Sequence, residues 1–277
     1  MKFIGEIGIN HNGSLREAID LIYMAKENNV DIVKFQKRNP DICIPYKMRN
    51  QDKVFKGTKM TYLEYKKKIE FGEEEFDVIS ALCKHLNIQW TSSVWDSDSV
   101  KFMTKYSKEI PFLKIPSPCI TDMELIDEIN KTDIPVIISD GMSTPEEVLN
   151  AINSIKNIKG IFHCNSTYPC ENMNEMDMRA ITAYKKAYPD LEIGYSGHEK
   201  PYNLTITTVA MTLGVDYIER HIRLDGRQNS DYEISLNEKS LETLIKHIKE
   251  VSDILGNDYI TCYPSEELAK EKLRRIY

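Results

Sequence analysis

No stretch of the chain approaches the roughly 18 consecutive apolar residues that a membrane-spanning helix requires. The amino terminus, Met1-Lys2-Phe3-Ile4-Gly5-Glu6, places an acid where a secretory signal needs an apolar run. Both absences point to a soluble, cytoplasmic protein with no membrane partner. The six cysteines, Cys43, Cys83, Cys119, Cys164, Cys170 and Cys262, include no CxxC pair, which argues against a disulfide framework or a structural zinc cluster and for reduced thiols. An excess of basic charge is also missing. The formal net charge of −7 disfavours a nucleic-acid surface while leaving room for a locally basic pocket. Gly8 and Gly13 do not make a GxGxxG turn after the first strand-like run, so the phosphate-binding signature of a doubly wound sheet is lacking.

What is present is alternation. With 277 residues, 41% hydrophobic and 29% charged, the chain can bury a large core. Strand-like runs span Phe3–Ile9, Asp31–Gln36, Gln89–Val94, Phe112–Ile115, Val136–Ser139, Gly160–Cys164, Glu192–Tyr195 and Asp216–Ile222. Each precedes a helix-like run, such as Leu15–Asn28 behind a Ser14/Glu17 capping box, Glu73–Leu86, or Tyr202–Leu213. Eight such couplets predict an α/β fold, a closed (β/α)₈ (TIM) barrel, forming one domain over residues 1–277. Residues 37–72 form a long insert after the second strand, and residues 257–277 a carboxyl-terminal tail.

A barrel of this kind places its chemistry at the carboxyl ends of the strands. The polar residues there are Glu6; Lys34 and Gln36; Ser92 and Ser93; Lys114 and Ser117; Ser139; His163, Ser166 and Tyr168; and Ser196, His198, Glu219 and His221. Lys34 and Lys114 sit inside apolar runs, where an unpaired ammonium costs several kcal/mol. Each calls for an anion, either a phosphate or carboxylate ligand or a structural ion-pair partner. His198 and His221 end successive strands and could share one divalent metal, although a buried histidine can also serve only as a hydrogen-bonded core residue. His163 suits hydrogen bonding to its neighbours. His11 lies in an Asn-His-Asn-Gly turn whose conformation accounts for its residues, and His85 and His247, in helical runs, are expected at the surface. Glu219-Arg220 reads as a pair that orients metal or substrate, or as a salt bridge at the barrel mouth.

Seven blocks carry a resemblance: Glu6-Ile7-Gly8-Ile9-Asn10-His11-Asn12-Gly13, Val33-Lys34-Phe35-Gln36-Lys37-Arg38, Lys114-Ile115-Pro116-Ser117, Ser139-Asp140-Gly141-Met142, His163-Cys164-Asn165-Ser166-Thr167-Tyr168-Pro169, Tyr195-Ser196-Gly197-His198 and Ile218-Glu219-Arg220-His221. As a set, and in this order, they resemble the sialic acid synthase family. The resemblance implies condensation of phosphoenolpyruvate with an open-chain N-acylated hexosamine, giving a 2-keto sugar acid and phosphate. It implies His198 and His221 as metal ligands, for Mn²⁺ or Mg²⁺, and Glu6, Lys34, Lys114, His198 and His221 as the catalytic set. It implies Lys34, Ser93, Lys114, Ser117, Ser139, Ser166 and Ser196 around phosphoenolpyruvate, and Gln36, Tyr168 and Asp231 around the sugar. In this chemistry the metal would polarise the sugar aldehyde, and Glu6 would guide water to C2.

Departures from the family pattern concern the acceptor. Cys119 stands where better-known members have a glutamate near the sugar, Asp140 where a small hydroxyl residue is common, and Gln228-Asn229-Ser230-Asp231 replace a Pro-Gly-Pro-Asp segment. Full-length relatives continue into an antifreeze-protein-like domain that supplies an arginine across a dimer, whereas this sequence ends at Leu273-Arg274-Arg275-Ile276-Tyr277. The expectation is therefore a homodimer or a separate protein supplying that contact, or an acceptor that does not need it. The insert, with Lys47, Arg49, Lys53, Lys56 and Lys59, is either a substitute lid or a solvated basic loop. The rival readings are a synthase of the octulosonate or heptulosonate type, a related lyase, and a catalytically silent barrel that binds a sugar acid.

Overall fold

The computed structural model describes residues 1–226 and 231–276. The strands are β1 (Lys2–Gly8), β2 (Ile32–Lys37), β3 (Asp52–Phe55), β4 (Thr58–Thr61), β5 (Gln89–Val94), β6 (Leu113–Ile115), β7 (Val136–Ser139), β8 (Ile158–His163), β9 (Glu192–Gly197) and β10 (Tyr217–His221). All but β3 and β4 are parallel and close into an eight-stranded barrel in the order β1-β10-β9-β8-β7-β6-β5-β2. The barrel strands coincide with the expected ones to within two residues.

Helix α1 (Leu15–Glu27) follows β1, its amino terminus capped by Ser14, which accepts from the Glu17 N–H. Helices α2 (Pro40–Cys43), α3 (Tyr46–Arg49) and α4 (Tyr62–Ile69) belong to the insert, and α5 (Glu73–Leu86) is the barrel helix after β2. Helices α6 (Ser97–Met103), α7 (Met123–Ile129), α8 (Pro145–Ser154), α9 (Arg179–Ala187), α10 (Thr205–Thr212) and α11 (Glu238–Leu255) complete the ring, and α12 (Glu267–Leu273) lies in the exposed terminal segment. No helix among the described residues is long and apolar enough to cross a membrane.

The side-chain period of two divides every barrel strand between two cores. Outward-facing residues such as Val33, Ile115, Ile138 and Ile193 pack beneath the helices. Ile4, Ile32, Phe112, Ile137, Phe162 and Tyr217 form a separate apolar plug inside the barrel. Two residues further along each strand, on the same inward face, stand Glu6, Lys34, Lys114, Ser139 and Glu219. The barrel interior therefore changes from hydrocarbon to charge within one step of the pleat, and the plug closes the cavity from below.

The insert is folded. Strands β3 and β4 form an antiparallel hairpin, and Thr61 and Glu64 cap α4 reciprocally. Tyr65 and Ile69 of α4 pack on Ile9 at the end of β1, with Phe55, Met60 and Tyr62 against them. This small satellite core seats α4 on the carboxyl-terminal rim of the barrel.

Candidate active site

A cavity of about 360 Å³ opens at the carboxyl ends of the strands and is lined by every residue the sequence placed there as catalytic, phosphoenolpyruvate-binding, sugar-binding or metal-binding. Strand register sets them side by side: Glu6 is level with both His221 and Lys34, Glu219 with Ser196, and Gln36 and Lys114 flank Ser93.

At the cavity floor four charges alternate in sign. Lys34 Nζ lies 2.6 Å from Glu6 Oε2 and 3.6 Å from Glu219 Oε1, and Lys114 Nζ is 2.7 Å from that same Glu219 oxygen. All four residues are almost fully buried. The anion each lysine called for is thus supplied, in the free protein, by the chain itself. Burial opposes the charge on Lys34, but Glu219 and Glu6 overcome it and hold its pKa above the ordinary value. At Lys114 burial wins; Glu219 resists it, Lys34 adds to it as a like charge, and the pKa falls. Burial alone would make Glu219 harder to ionise, but Lys114 and Lys34 keep its carboxyl well below the usual carboxylate range.

Above this floor the hydroxyls gather around one glycine. A Cβ on Gly141 would stand 2.2 Å from Ser166 Oγ and 2.8 Å from Ser117 Oγ, so the serines approach backbone that only glycine leaves uncovered. Ser139 Oγ is buried without a hydrogen-bond partner, a donor awaiting an acceptor. Gly141→Ala should therefore displace Ser166 and Ser117 and weaken the binding of inorganic phosphate in calorimetric titration by roughly tenfold or more; unchanged phosphate affinity would show that these hydroxyls serve no anion subsite.

His198 and His221 have ring centres 5.7 Å apart, and Tyr168 stacks on His198 at 4.1 Å. His198 Nδ1 lies 2.6 Å from the Asn165 carbonyl oxygen, which fixes the proton on that nitrogen and leaves Nε2 as a lone pair. Burial, assisted by His221, lowers the His198 pKa to about 3 and keeps the ring neutral. His221 Nδ1 is buried without a hydrogen bond, 3.5 Å from Asp231 Oδ2. Among the described residues no three His, Cys, Asp or Glu side chains are grouped to hold a metal ion. The free Nε2 of His198 and the unpartnered buried Nδ1 of His221 fit a divalent cation only if its remaining ligands were supplied from outside the protein.

Other expectations change. Glu219 and Arg220 are not a pair, because neighbours in a strand face opposite ways. Arg220 points outward, where it donates to Glu199 Oε1 at 2.6 Å and to the Glu199 carbonyl, and Tyr195 binds the other Glu199 oxygen at 2.7 Å. His163 is held between Asp140 (2.7 Å) and the Met176 carbonyl (2.8 Å). Asp140 also accepts from Tyr184 and the Cys164 N–H, so it faces the protein and not the cavity. Cys119 is buried with Sγ 3.7 Å from the Trp95 carbonyl oxygen; the wall there is Trp95, Ser117 and Pro118. His11 stacks on Phe71 at 3.9 Å in a turn that has Asn12 and Gly13 at positive φ. His85 is exposed, but His247 is half-buried and bonded to Thr208. Asp231 lines the cavity, while Gln228, Asn229 and Ser230 lie outside the described residues.

The insert does reach the cavity, but not through the lysines and arginine singled out in the sequence. Lys59 pairs with Asp52, Arg49 donates to the Ile44 and Asp41 carbonyls, and Lys53 and Lys56 lie over Tyr65 and Phe55. The residues of this region that line the cavity are Arg38, Tyr62 and Lys66. Tyr62 and Lys66 are one helical turn apart, a spacing that puts both on one face of α4.

The NeuB family profile matches residues 21–259. The chain is 31% identical to human N-acetylneuraminate-9-phosphate synthase over 98% of its own length and 75% of the relative's. It is 30% identical to the N,N'-diacetyllegionaminic acid synthase of Legionella pneumophila, over 92% and 73%. A crystal structure of N-acetylneuraminic acid (sialic acid) synthetase from Leptospira borgpetersenii, in complex with citrate, superposes with a TM-score of 0.81 at 27% identity, over 99% of this chain and 92% of that one. With the profile spanning most of the barrel and these relatives matched along nearly the whole chain, the protein belongs to the NeuB family of sialic acid synthases.

Proposed function

We propose that the protein is a metal-dependent synthase that condenses phosphoenolpyruvate with an N-acylated hexosamine, giving a sialic-acid-like 2-keto-3-deoxy sugar acid and inorganic phosphate. The observation that carries this reading is the alternating chain Glu6, Lys34, Glu219 and Lys114 beneath a ring of serine hydroxyls, in one cavity with His198 and His221. The human N-acetylneuraminate-9-phosphate synthase and the Legionella N,N'-diacetyllegionaminic acid synthase favour the same class of reaction.

In this reading the ammonium groups of Lys34 and Lys114 hold the anionic ends of phosphoenolpyruvate, and Ser93, Ser117, Ser139, Ser166 and Ser196 donate to its oxygens. Gln36, Tyr168 and Asp231 orient the open-chain sugar with its aldehyde carbon toward C3 of phosphoenolpyruvate. Held by His198 and His221, Mn²⁺ or Mg²⁺ would supply Lewis acidity to that aldehyde. A bond forms between C3 and the aldehyde carbon; water adds at C2; the bond from C2 to the phosphate oxygen then breaks. Glu6 is placed to take the water's proton, since Gln36 Nε2 at 2.9 Å and Lys34 at 2.6 Å fix its two oxygens. Water, phosphoenolpyruvate and aldose thus give keto acid and phosphate with no other reactant.

Phosphate release from phosphoenolpyruvate with Mn²⁺, measured across N-acetylated hexosamines and pentoses, tests the proposal. Turnover is expected with at least one N-acylated hexosamine. A panel with no turnover, together with no metal-dependent thermal shift, would leave a barrel that binds sugar acids without acting on them.

A further inference from the structure

One buried polar pair lies beside the cavity and takes no part in the condensation. Asp140, just past β7, and His163, at the end of β8, are each 8% exposed. They face outward beneath α9, on the other side of the strands from Ser139 and Phe162. Around the His163 ring stand Asp140 Oδ2, 2.7 Å from Nδ1, and the Met176 carbonyl oxygen, 2.8 Å from Nε2. The carbonyl can only accept. Asp140 is likewise surrounded by donors: Oδ1 takes the Cys164 N–H at 2.9 Å, and Oδ2 takes the Tyr184 hydroxyl at 2.9 Å. A neutral imidazole has one donor nitrogen and one acceptor, so a ring between two acceptors is satisfied only when both nitrogens carry protons. The proton shared with Asp140 belongs to the ring, the stronger base of the two.

This cation joins the turn after β7, the loop of residues 164–175 and α9. Through Asp140 it meets the turn, whose N–H also donates to the Phe162 carbonyl at 3.1 Å. Through Met176 it closes the loop that brings Ser166 and Tyr168 to the cavity. The residues next to the pair in sequence are the ones that crowd around the hydroxyls. Ser139 precedes Asp140 and Gly141 follows it; a Cβ on Gly141 would stand 2.2 Å from Ser166 Oγ and 2.7 Å from Cys164 Sγ, both on the loop that His163 begins.

We propose that His163 is an imidazolium at neutral pH and forms with Asp140 a positioning pair that holds Ser139 and Ser166 together on the anion side of the cavity, so that loss of its proton weakens phosphate binding there. The charge on the ring is independent of the condensation; its link to the anion rests on the reading of the serines given above. Burial opposes the charge, but the hydrogen bond and carboxylate of Asp140 outweigh it and raise the His163 pKa, with a further pull from Asp177. The contribution of this proton to stability is therefore complete below the ordinary histidine range and is lost as the pH rises through the raised value. A neutral ring turns one lone pair toward an acceptor, and the contact to Met176 or to Asp140 opens. The other titratable groups about the ring are Cys164, Tyr184 of α9 and Tyr195, level with His163 on β9. Burial raises the pKa of each, so they stay neutral while His163 titrates.

Magnetic resonance of the ring nitrogens, in protein labelled at histidine and titrated between about pH 6 and 9, tests the charge, with His163→Gln identifying the signal. His163 should show two protonated nitrogens at neutral pH. Calorimetric titration with inorganic phosphate tests the positioning, and His163→Gln should weaken binding at neutral pH by roughly tenfold. In Asp140→Asn the amide can donate to Nδ1, so a neutral ring keeps its one proton on Nε2 for the Met176 carbonyl. This variant should bind phosphate within about twofold of the wild type at neutral pH, and the ratio of wild-type to variant affinity should fall as the pH rises through the change in the His163 signal. The ratio cancels the titration of phosphate and of Lys114, which both proteins share. Should His163→Gln not fold, the signal is identified by its loss of one proton in Asp140→Asn, and the ratio carries the test. A single protonated nitrogen on His163 at neutral pH overturns the charge. Unchanged phosphate affinity in His163→Gln, equal losses in the two variants, or a ratio independent of pH overturns the positioning role. Neither readout involves turnover, so failure of the condensation appears in the phosphate-release assay alone.

Discussion

Replacing Glu219 with glutamine should destabilise the protein by about 3 kcal/mol, the usual cost of removing one member of a buried ionic cluster, and lower Tm by about 6–10 °C. Glutamine keeps the size and shape of the side chain, so the loss is electrostatic. In the native floor Glu6 and Glu219 balance Lys34 and Lys114; in the variant two ammonium groups share Glu6 alone. Lys114 is affected most, because among the described residues Glu219 is its only carboxylate contact and burial already disfavours its charge. An anionic ligand then takes over the missing role. Phosphoenolpyruvate should raise the Tm of the variant more than that of the wild type, while kcat falls because the lysines are no longer held at fixed positions. Differential scanning calorimetry with and without phosphoenolpyruvate provides the check. An unchanged Tm, with the same ligand-induced shift as the wild type, would mean that Glu219 does not neutralise the lysines.

The second large effect belongs to the histidines. His198→Ala and His221→Ala should each abolish the thermal stabilisation by Mn²⁺ and lower kcat/KM by about a thousandfold, equivalent to roughly 4 kcal/mol of lost transition-state stabilisation. The fold should persist, since in the metal-free protein His198 contributes one hydrogen bond to Asn165 and a stack on Tyr168, and His221 Nδ1 contributes no hydrogen bond. Metal-free Tm should therefore change by only a few degrees. Full activity in either variant would sink the assignment of this pair to a metal.

The barrel and the composition of the cavity were legible because both follow from a period of two. Apolar residues at alternate positions of a strand meet other strands or helices whatever the neighbours are, and a polar residue that continues the inward face, such as Glu6 after Ile4 or Glu219 after Tyr217, reaches the mouth. Which anion answers a buried lysine was not legible. The pairing of residue 34 with 6 needs the neighbouring strands β1 and β2 in register, and its pairing with 219 arises only when β10 closes the barrel beside β1. Cys119 and Asp140 lay near strand ends in the sequence, yet face the protein, because proximity along the chain says nothing about side. Lys66 was hidden in Lys66-Lys67-Lys68, a run that reads as solvated; its one-turn spacing from Tyr62 was the signal available, and it acquires meaning only once the insert's small core seats α4 on the rim.

The opposite orientations of Glu219 and Arg220 also bear on how the barrel is assembled. β10 joins β9 to β1, and its side chains keep their faces only in the native register. A slip of one residue would turn Arg220 inward against Lys34 and Lys114, strand Glu199 in a buried position, and expel Glu219. Three cations would then crowd the floor of one cavity. Misregistered closure is thereby penalised far more heavily than an exchange among apolar side chains would be, so the charges that face the substrate also proofread the last seam of the fold.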